Sequence, residues 1–370
     1  MQPWPVLLLA RELDIGGSER QLTEIAKALD RSRFEPYVGC FRPDGMRAQE
    51  LRAAGIPIVH FPVYSFASPA TAHEAYRFAR YVRRHGIRLV HSFDYPLTAF
   101  AIPVARCFTS AVAVSSQRSH RDLIPCGYRR IIRLTDTFAD AIVVNCEFLR
   151  RHLENDEGVP PENIRVSYNG VDSKRFHGNE RDRYGSSVGV VAALRPEKDI
   201  ATLIEAFAHL QFHYPVKLFI VGSGPELGSL QTIAEEFGIS QRCVFAPATS
   251  KVADWMHAID IFVLPSVSEA LSNSLMEAMA CGCCPVATNV GGNPELIHHC
   301  ENGFLFEPGD VAGLCRTLEI LLENEALRHR IAACAQASVR ERFSLEASAR
   351  RMAEIYTGLI ERHDCTSRPN

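Results

Sequence analysis

Apolar positions fall into short, nearly unbroken runs separated by amphipathic stretches, and this alternation occurs twice along the chain. Val6 to Ala10 is apolar throughout, which predicts a strand buried on both faces. After the turn Gly16-Gly17, Leu22, Ile25, Ala26 and Leu29 recur at helical spacing, predicting a helix over Glu19 to Leu29. Strands are then expected at Pro36 to Phe41, Ile56 to Phe61, Ile87 to His91, Ala111 to Ser115 and Ala141 to Asn145. Helices over Met46 to Ala54 and His73 to His85 each stop at a glycine, Gly55 and Gly86. The second run predicts strands at Gly189 to Leu194, Lys217 to Val221, Cys243 to Ala246, Ile261 to Leu264 and Pro285 to Ala287. Its helices are Ile200 to Leu210, Glu226 to Phe237, Val252 to Ala258 and Ser274 to Ala280.

All-apolar strands alternating with helices indicate parallel sheets covered on both faces. Two such runs in 370 residues predict two Rossmann-like, doubly wound α/β domains. The join falls in the turn-rich stretch Val166 to Phe176, and Asp364 to Asn370 reads as a disordered tail.

Composition is ordinary for a globular protein, with 46% hydrophobic and 22% charged residues. No apolar run reaches the ~18 residues of a membrane span. The opening Pro5 to Ala10 run lacks a basic flank and is followed at once by Arg11, Glu12 and Asp14, so it reads as a first strand, not a signal peptide. The twelve cysteines, the cluster Cys281 to Cys284 included, suit no common zinc motif. They read as core thiols of a protein kept in a reducing cytoplasm, not as metal ligands. The net charge of -3 argues against nucleic acid as a partner. It is unevenly spread: residues 1–172 carry 22 Lys+Arg against 19 Asp+Glu, and the remainder 18 against 24.

Ligands of doubly wound sheets bind at the carboxyl ends of the strands, so the loops there carry the candidate chemistry. Gly16-Gly17-Ser18-Glu19 follows the first strand and precedes a helix; paired glycines allow close approach to a ligand or simply make a tight turn. Gly222-Ser223-Gly224-Pro225 lacks the third glycine of a dinucleotide fingerprint, because Leu227 stands there, and Pro225 has no N–H to give a phosphate. Lys198, one of only five lysines, follows the strand at Gly189 to Leu194 and is placed to meet a phosphate. Glu269 precedes and Glu277 lies on a helix that Ser272 or Asn273 can cap and Gly282 can end. Such a helix start suits a diphosphate. The two carboxylates then suit sugar and ribose hydroxyls; the alternative is that both are surface charges.

These residues resemble glycosyltransferase family 4, retaining enzymes of GT-B fold. The resemblance rests on Glu269-x7-Glu277 with Met279-Ala280-Cys281-Gly282 and Gly291-Gly292-Asn293-Pro294-Glu295. Tyr168-Asn169-Gly170-Val171-Asp172 with Phe176, the Gly16-Gly17 loop, Val221 to Pro225 and Asn302-Gly303-Phe304-Leu305 extend it from residue 6 to about 360. It implies two domains facing a cleft: an acceptor domain over 1–170, a nucleotide-sugar domain over 171–345, and a helix over 346–362 packing back on the first. It implies that Glu277 binds the donor ribose, that Glu269 contacts the transferred sugar, and that Lys198 neutralises the diphosphate with backbone N–H groups of Asn273 and Ser274. Gly17, beside Gly16, would close over the donor phosphates, and Gly222 would line the nucleotide site. His91 and the loop Ser116 to His120 would face the cleft.

The chain departs from the family at three places. Ala193 stands where members carry Arg, leaving Arg195 as the substitute; Ala270-Leu271 replaces the common Gly-Phe; and both His120 and Arg118 lie where many members have a His. No Asp-x-Asp occurs, so no metal or other cofactor is expected, and Lys198, Arg195 and the helix dipole would stabilise the leaving diphosphate. The function implied is transfer of a sugar from a nucleotide sugar to a glycan or lipid-linked acceptor. Basic faces at Arg77, Arg80 and Arg84 and at Arg129, Arg130 and Arg133 suit an anionic membrane, hence a cytoplasmic protein peripheral at the inner membrane face. An epimerase of the same fold and a non-catalytic partner protein are the alternatives.

Overall fold

The computed structural model describes residues 2–14, 16–178, 187–210 and 216–367. The chain forms two compact units: residues 1–170 with 345–370, and residues 171–344.

Unit one holds a seven-stranded, all-parallel sheet. Its strands are β1 (Trp4–Glu12), β2 (Phe34–Arg42), β3 (Ile58–His60), β4 (Leu89–Ser92), β5 (Val112–Gln117), β6 (Ala141–Val144) and β7 (Ile164–Val166). Their order, β3-β2-β1-β4-β5-β6-β7, reverses between β1 and β4. The helices of this unit are α1 (Gly17–Ala28), α2 (Met46–Ala53), α3 (Pro69–Arg84), α4 (Tyr95–Phe108), α5 (Cys126–Asp136) and α6 (Glu147–Asn155). Side chains of a strand alternate between faces, and β1 shows both faces covered. Val6, Leu8 and Ala10 pack with Leu22 and Ile25 of α1 and Leu51 of α2. Leu7 and Leu9 pack with Phe78 and Val82 of α3 and Leu97 and Phe100 of α4.

Unit two contains α7 (Ile200–His209), α8 (Leu227–Glu236), α9 (Val252–Ala258), α10 (Asn273–Ala280), α11 (Asn293–Leu296), α12 (Val311–Glu323) and α13 (Glu325–Arg342). Its parallel strands are β8 (Ser187–Val191), β9 (Lys217–Val221), β10 (Cys243–Ala246), β11 (Ile261–Leu264), β12 (Cys284–Thr288) and β13 (Phe304–Phe306). The order β10-β9-β8-β11-β12-β13 reverses between β8 and β11. Asp260 holds the start of that junction, accepting from Ser187 N at 2.9 Å and Ser187 Oγ at 2.8 Å.

The last helix, α14 (Leu345–Ser367), belongs to unit one. Met352, Ile355 and Tyr356 enter the same cluster as Val6 and Leu8. The expected disordered tail is thus corrected: Asp364 to Ser367 continue the helix, while 368–370 lie outside the described residues. All twelve cysteines are free thiols. Cys40, Cys146, Cys281, Cys283 and Cys284 are buried, but Cys107, Cys126, Cys300, Cys334 and Cys365 are exposed, so the core reading covers only part of the set.

One buried charge cluster ties the outer elements of unit one together. Arg121 is fully buried and bonds Asp136 of α5 at 2.6 Å and Glu157 at 3.0 Å; Glu157 also takes Arg133 at 2.6 Å. The bond from Arg133, with Arg121 adding, holds the Glu157 carboxyl down at about 2, whereas burial pushes Asp136 up to about 6. Removing the central cation strands the enclosed Asp136 carboxylate and leaves Glu157 to Arg133 alone. Arg121→Met is expected to lower the unfolding free energy by about 3–5 kcal/mol, read by urea titration.

Candidate functional site

The reversal in unit two opens the crevice where a doubly wound sheet binds ligands. Two loops meet there because β8 and β11 are neighbours. After β8 the chain makes the 3-10 turn Pro196–Lys198; after β11 it runs through Pro265 to Ser272 into α10. Val267 N donates to Glu197 O at 3.0 Å and fastens one loop to the other. Lys198 Nζ donates to Glu269 Oε1 at 2.5 Å, and Ser266 Oγ donates to the same oxygen at 2.9 Å. The side chains of Lys198 and Glu269 are 21% and 9% exposed. Glu277, on α10, is 4% exposed. Neither glutamate is therefore a surface charge, and that alternative reading is set aside.

Helix α10 starts where the sequence placed it. Ser272 is its N-cap, accepting from Leu275 N at 3.3 Å, and Asn273 and Ser274 form its first turn. The first turn of a helix carries N–H groups without intrahelical partners and the positive end of the dipole. The loop before it is held from behind. Thr288 Oγ1 donates to Ser266 O at 2.6 Å, and Gly292 N donates to Ala270 O at 2.7 Å. Gly291 lies at φ 58°, and a Cβ there would come within 1.9 Å of Glu269 O. The glycine pair thus fixes the backbone that carries Glu269.

Gly222 has a packing role. A Cβ on it would meet Ala192 O at 1.8 Å, and one on Gly224 would meet Leu194 O at 2.2 Å. Leu194 N donates to Ser223 O at 3.0 Å, so the loop after β9 lies directly on the loop after β8. Its glycines serve close backbone contact, which explains a glycine-rich motif without a dinucleotide. Arg195 is not drawn into the site as expected: its side chain is 63% exposed, stands 3.9 Å from Glu197, and makes no bond to Glu269.

In unit one, Gly16 is the extended N-cap of α1 and Gly17 its first residue. A Cβ on Gly16 would meet the Glu19 carboxylate at 2.0 Å. Burial, ahead of other causes, raises the Glu19 carboxyl. The expectation that His91 faces a cleft is corrected. His91 lies inside β4, is fully buried, and has both ring nitrogens engaged, with Tyr356 OH at 2.6 Å and Ser116 Oγ at 2.8 Å. Burial, and secondarily the charge of Arg118, lowers its pKa well below the usual value. A neutral, doubly bonded ring closed off from solvent is a structural group. Reading the residues alone missed Asp94, which caps α4 by accepting from Leu97 N at 3.0 Å and also accepts from Arg11 N. Burial pushes its carboxyl up to about 6. The Asp-Tyr-Pro start at Asp94 was a legible capping signal. Ser266 was likewise passed over; it differs in no local way from its neighbour Ser268.

Among the described residues, no group of three or more His, Cys, Asp or Glu side chains is placed to hold a metal ion. Nor is any described helix long and apolar enough to cross a membrane.

Two family models match consecutive parts of the chain: glycosyltransferase family 4 over residues 15–175 and glycosyl transferases group 1 over residues 177–338. The chain is 29% identical over 210 residues to N-acetyl-alpha-D-glucosaminyl L-malate synthase of Bacillus anthracis, covering 54% of this chain and 55% of that protein. It is 30% identical over 259 residues to D-inositol 3-phosphate glycosyltransferase of Streptomyces scabiei, covering 64% and 57%. The chain thus spans about half the length of the curated relatives it matches. Among solved structures, Anabaena HepE in complex with UDP-glucose superposes with a TM-score of 0.85 at 24% identity, covering 96% of this chain and 99% of that one. That likeness is one of fold, and the fold is GT-B.

The clamp behind Glu269 yields a test. Gly291→Ala forces a side chain into a left-handed backbone and against Glu269 O. We expect it to destabilise the protein by about 1–3 kcal/mol in urea titration, well beyond the effect of an ordinary surface substitution.

Proposed function

Because the chain belongs to glycosyltransferase family 4, we propose that it moves a sugar from a nucleoside-diphosphate donor to an acceptor, with retention of configuration and without a metal. The observation that carries this reading is the enclosed Lys198–Glu269 pair at the reversal of the second sheet, beside the start of α10. Diphosphate departure develops negative charge, and a preorganised cation with a helix N-terminus stabilises it in place of a metal. Lys198 is already desolvated and aimed by Glu269, so a diphosphate sharing it pays little reorganisation. Glu277 takes the ribose hydroxyls and Glu269 the hydroxyls of the transferred sugar. Glu269 acts by position and charge, since its Oε1 is occupied by Lys198 and Ser266. HepE was solved with UDP-glucose, which supports a nucleotide-sugar donor of the same class.

The acceptor side is assigned to unit one, and a glycan or a lipid-linked sugar fits the membrane reading of its surface. On α5, Ile131 and Leu134 are exposed beside Arg130, whereas Arg129 is paired with Asp122 at 2.8 Å and Arg133 with Glu157 at 2.6 Å. Exposed apolar residues among cations suit an anionic interface. On α3, Arg77 is instead paired with Glu74 at 2.8 Å, leaving Arg80 and Arg84.

Two measurements check this function. Donor turnover in the presence of EDTA is expected to persist in the parent protein and to fall about 100- to 1000-fold in both Lys198→Ala and Glu269→Ala. Unchanged turnover in both variants sinks the assignment, and binding of donor without turnover in the parent favours the non-catalytic alternative. Cosedimentation with anionic liposomes is expected at low salt, to be lost in high salt, and to weaken in Ile131→Ser with Leu134→Ser. No binding at low salt removes the membrane contact.

A further inference from the structure

Unit one contains a cation that the fold leaves uncompensated. Arg118 follows β5 directly, at the carboxyl end of the sheet, and is only partly exposed. Its guanidinium stacks on Phe93 at 4.6 Å from the ring centroid, and Nη1 donates to Asn169 Oδ1 at 2.8 Å. Nε is buried and has no partner. No carboxylate among the described residues pairs with it. Two other enclosed arginines have carboxylate partners: Arg121 holds Asp136 and Glu157, and Arg47 holds Glu50 at 2.7 Å, while buried Arg328 donates to a backbone carbonyl, Leu321 O, at 2.8 Å. The groups nearest Arg118 are neutral: Asn169, Phe93 and His91, whose low pKa reflects burial and the charge of Arg118 itself. Burial even draws the guanidinium pKa down to about 10.

A desolvated charge without a counter-ion costs stability, and a fold that needed only the stacking contact would be served by a neutral side chain. The ring and the amide instead fix the plane of the fork and use few of its donors. A planar fork held this way matches the oxygens of a phosphate or carboxylate.

We propose that Arg118 is the anion-reading residue of unit one, binding a phosphate or carboxylate group carried by the acceptor. The assignment of that anion to the acceptor rests on the proposed transferase function; the anion site itself does not. Arg118 is a binding residue, and Phe93 and Asn169 position it.

The test uses the full chain carrying Lys198→Ala, so that the cation of unit two is absent. Methyl phosphate and acetate are titrated separately by calorimetry at matched ionic strength, with and without Arg118→Gln. At least one is expected to bind, and Arg118→Gln to weaken it about 10- to 100-fold, with Arg118→Lys retaining part of the affinity. The tighter of the two names the anion class. The thermal midpoint of Arg118→Gln is expected at or above that of its parent, because the change removes an unpaired charge. Equal affinity in both proteins, binding of neither anion, or a lowered midpoint overturns the proposal. Titration of UDP into the parent and Lys198→Ala proteins reports the donor reading separately, so either can fail alone.

Discussion

Strands buried on both faces leave only their ends for chemistry. In unit two, Val188, Val190, Ile261 and Val263 are fully enclosed, and neighbouring β8 and β11 carry the sheet in opposite directions from their junction. The helices that follow them therefore diverge, and the loops above the junction are the ones left facing open space. Lys198 and Glu269 sit on those two loops, which are tied together by Val267 N to Glu197 O and each braced from its own side. The first is roofed by the glycine loop after β9, the second is braced by Thr288 and the Gly291-Gly292 turn. The ion pair is thus the product of two rigid supports and not of a flexible encounter, which is what preorganisation requires.

Unit one has the same architecture with a different filling. Its reversal, between β1 and β4, holds Asp94 and the Gly16-Gly17 turn instead of a lysine–glutamate pair. The buried hydrogen bonds from His91 to Tyr356 and Ser116 occupy the interior of the sheet next door. One fold plan therefore carries two charge patterns: a neutralised pair in unit two and an unbalanced cation in unit one. The first suits a group that arrives with its own hydroxyls and diphosphate, the second an isolated anion.

Much of this was legible from apolar periodicity. The helix at Val252 to Ala258 and the strand at Ile261 to Leu264 appear at the predicted bounds. Helix α4 did not show itself, because its apolar residues leave no polar stripe and Pro96 and Pro103 interrupt the local signal. Strands β7 and β13 have three residues each, too few to display a period. Glu269, Glu277 and Lys198 could each be picked out, but their relation could not. Lys198 and Glu269 are 71 positions apart and meet only because β8 and β11 are adjacent. His91 was read as the exposed end of its strand, but Ser92 and Phe93 beyond it are buried too, so the core runs past it. Arg195 was expected to stand in for Ala193, but backbone direction in the turn sends it outward, which no spacing rule reports.

The division of the chain has a consequence for how the protein is made. Unit one is discontinuous: its sheet is complete by Val166, yet Met352, Ile355 and Tyr356 of α14 belong to its core. During synthesis, residues up to 170 emerge with part of one face of the sheet, the part that α14 packs on, uncovered and His91 lacking its tyrosine partner. Some 170 residues of unit two must then be translated before that gap closes. At ribosomal speeds of about 5–20 residues per second this leaves an apolar surface open for many seconds. In that window the apolar patch that Met352, Ile355 and Tyr356 will cover stays open, a state that the finished protein no longer reveals.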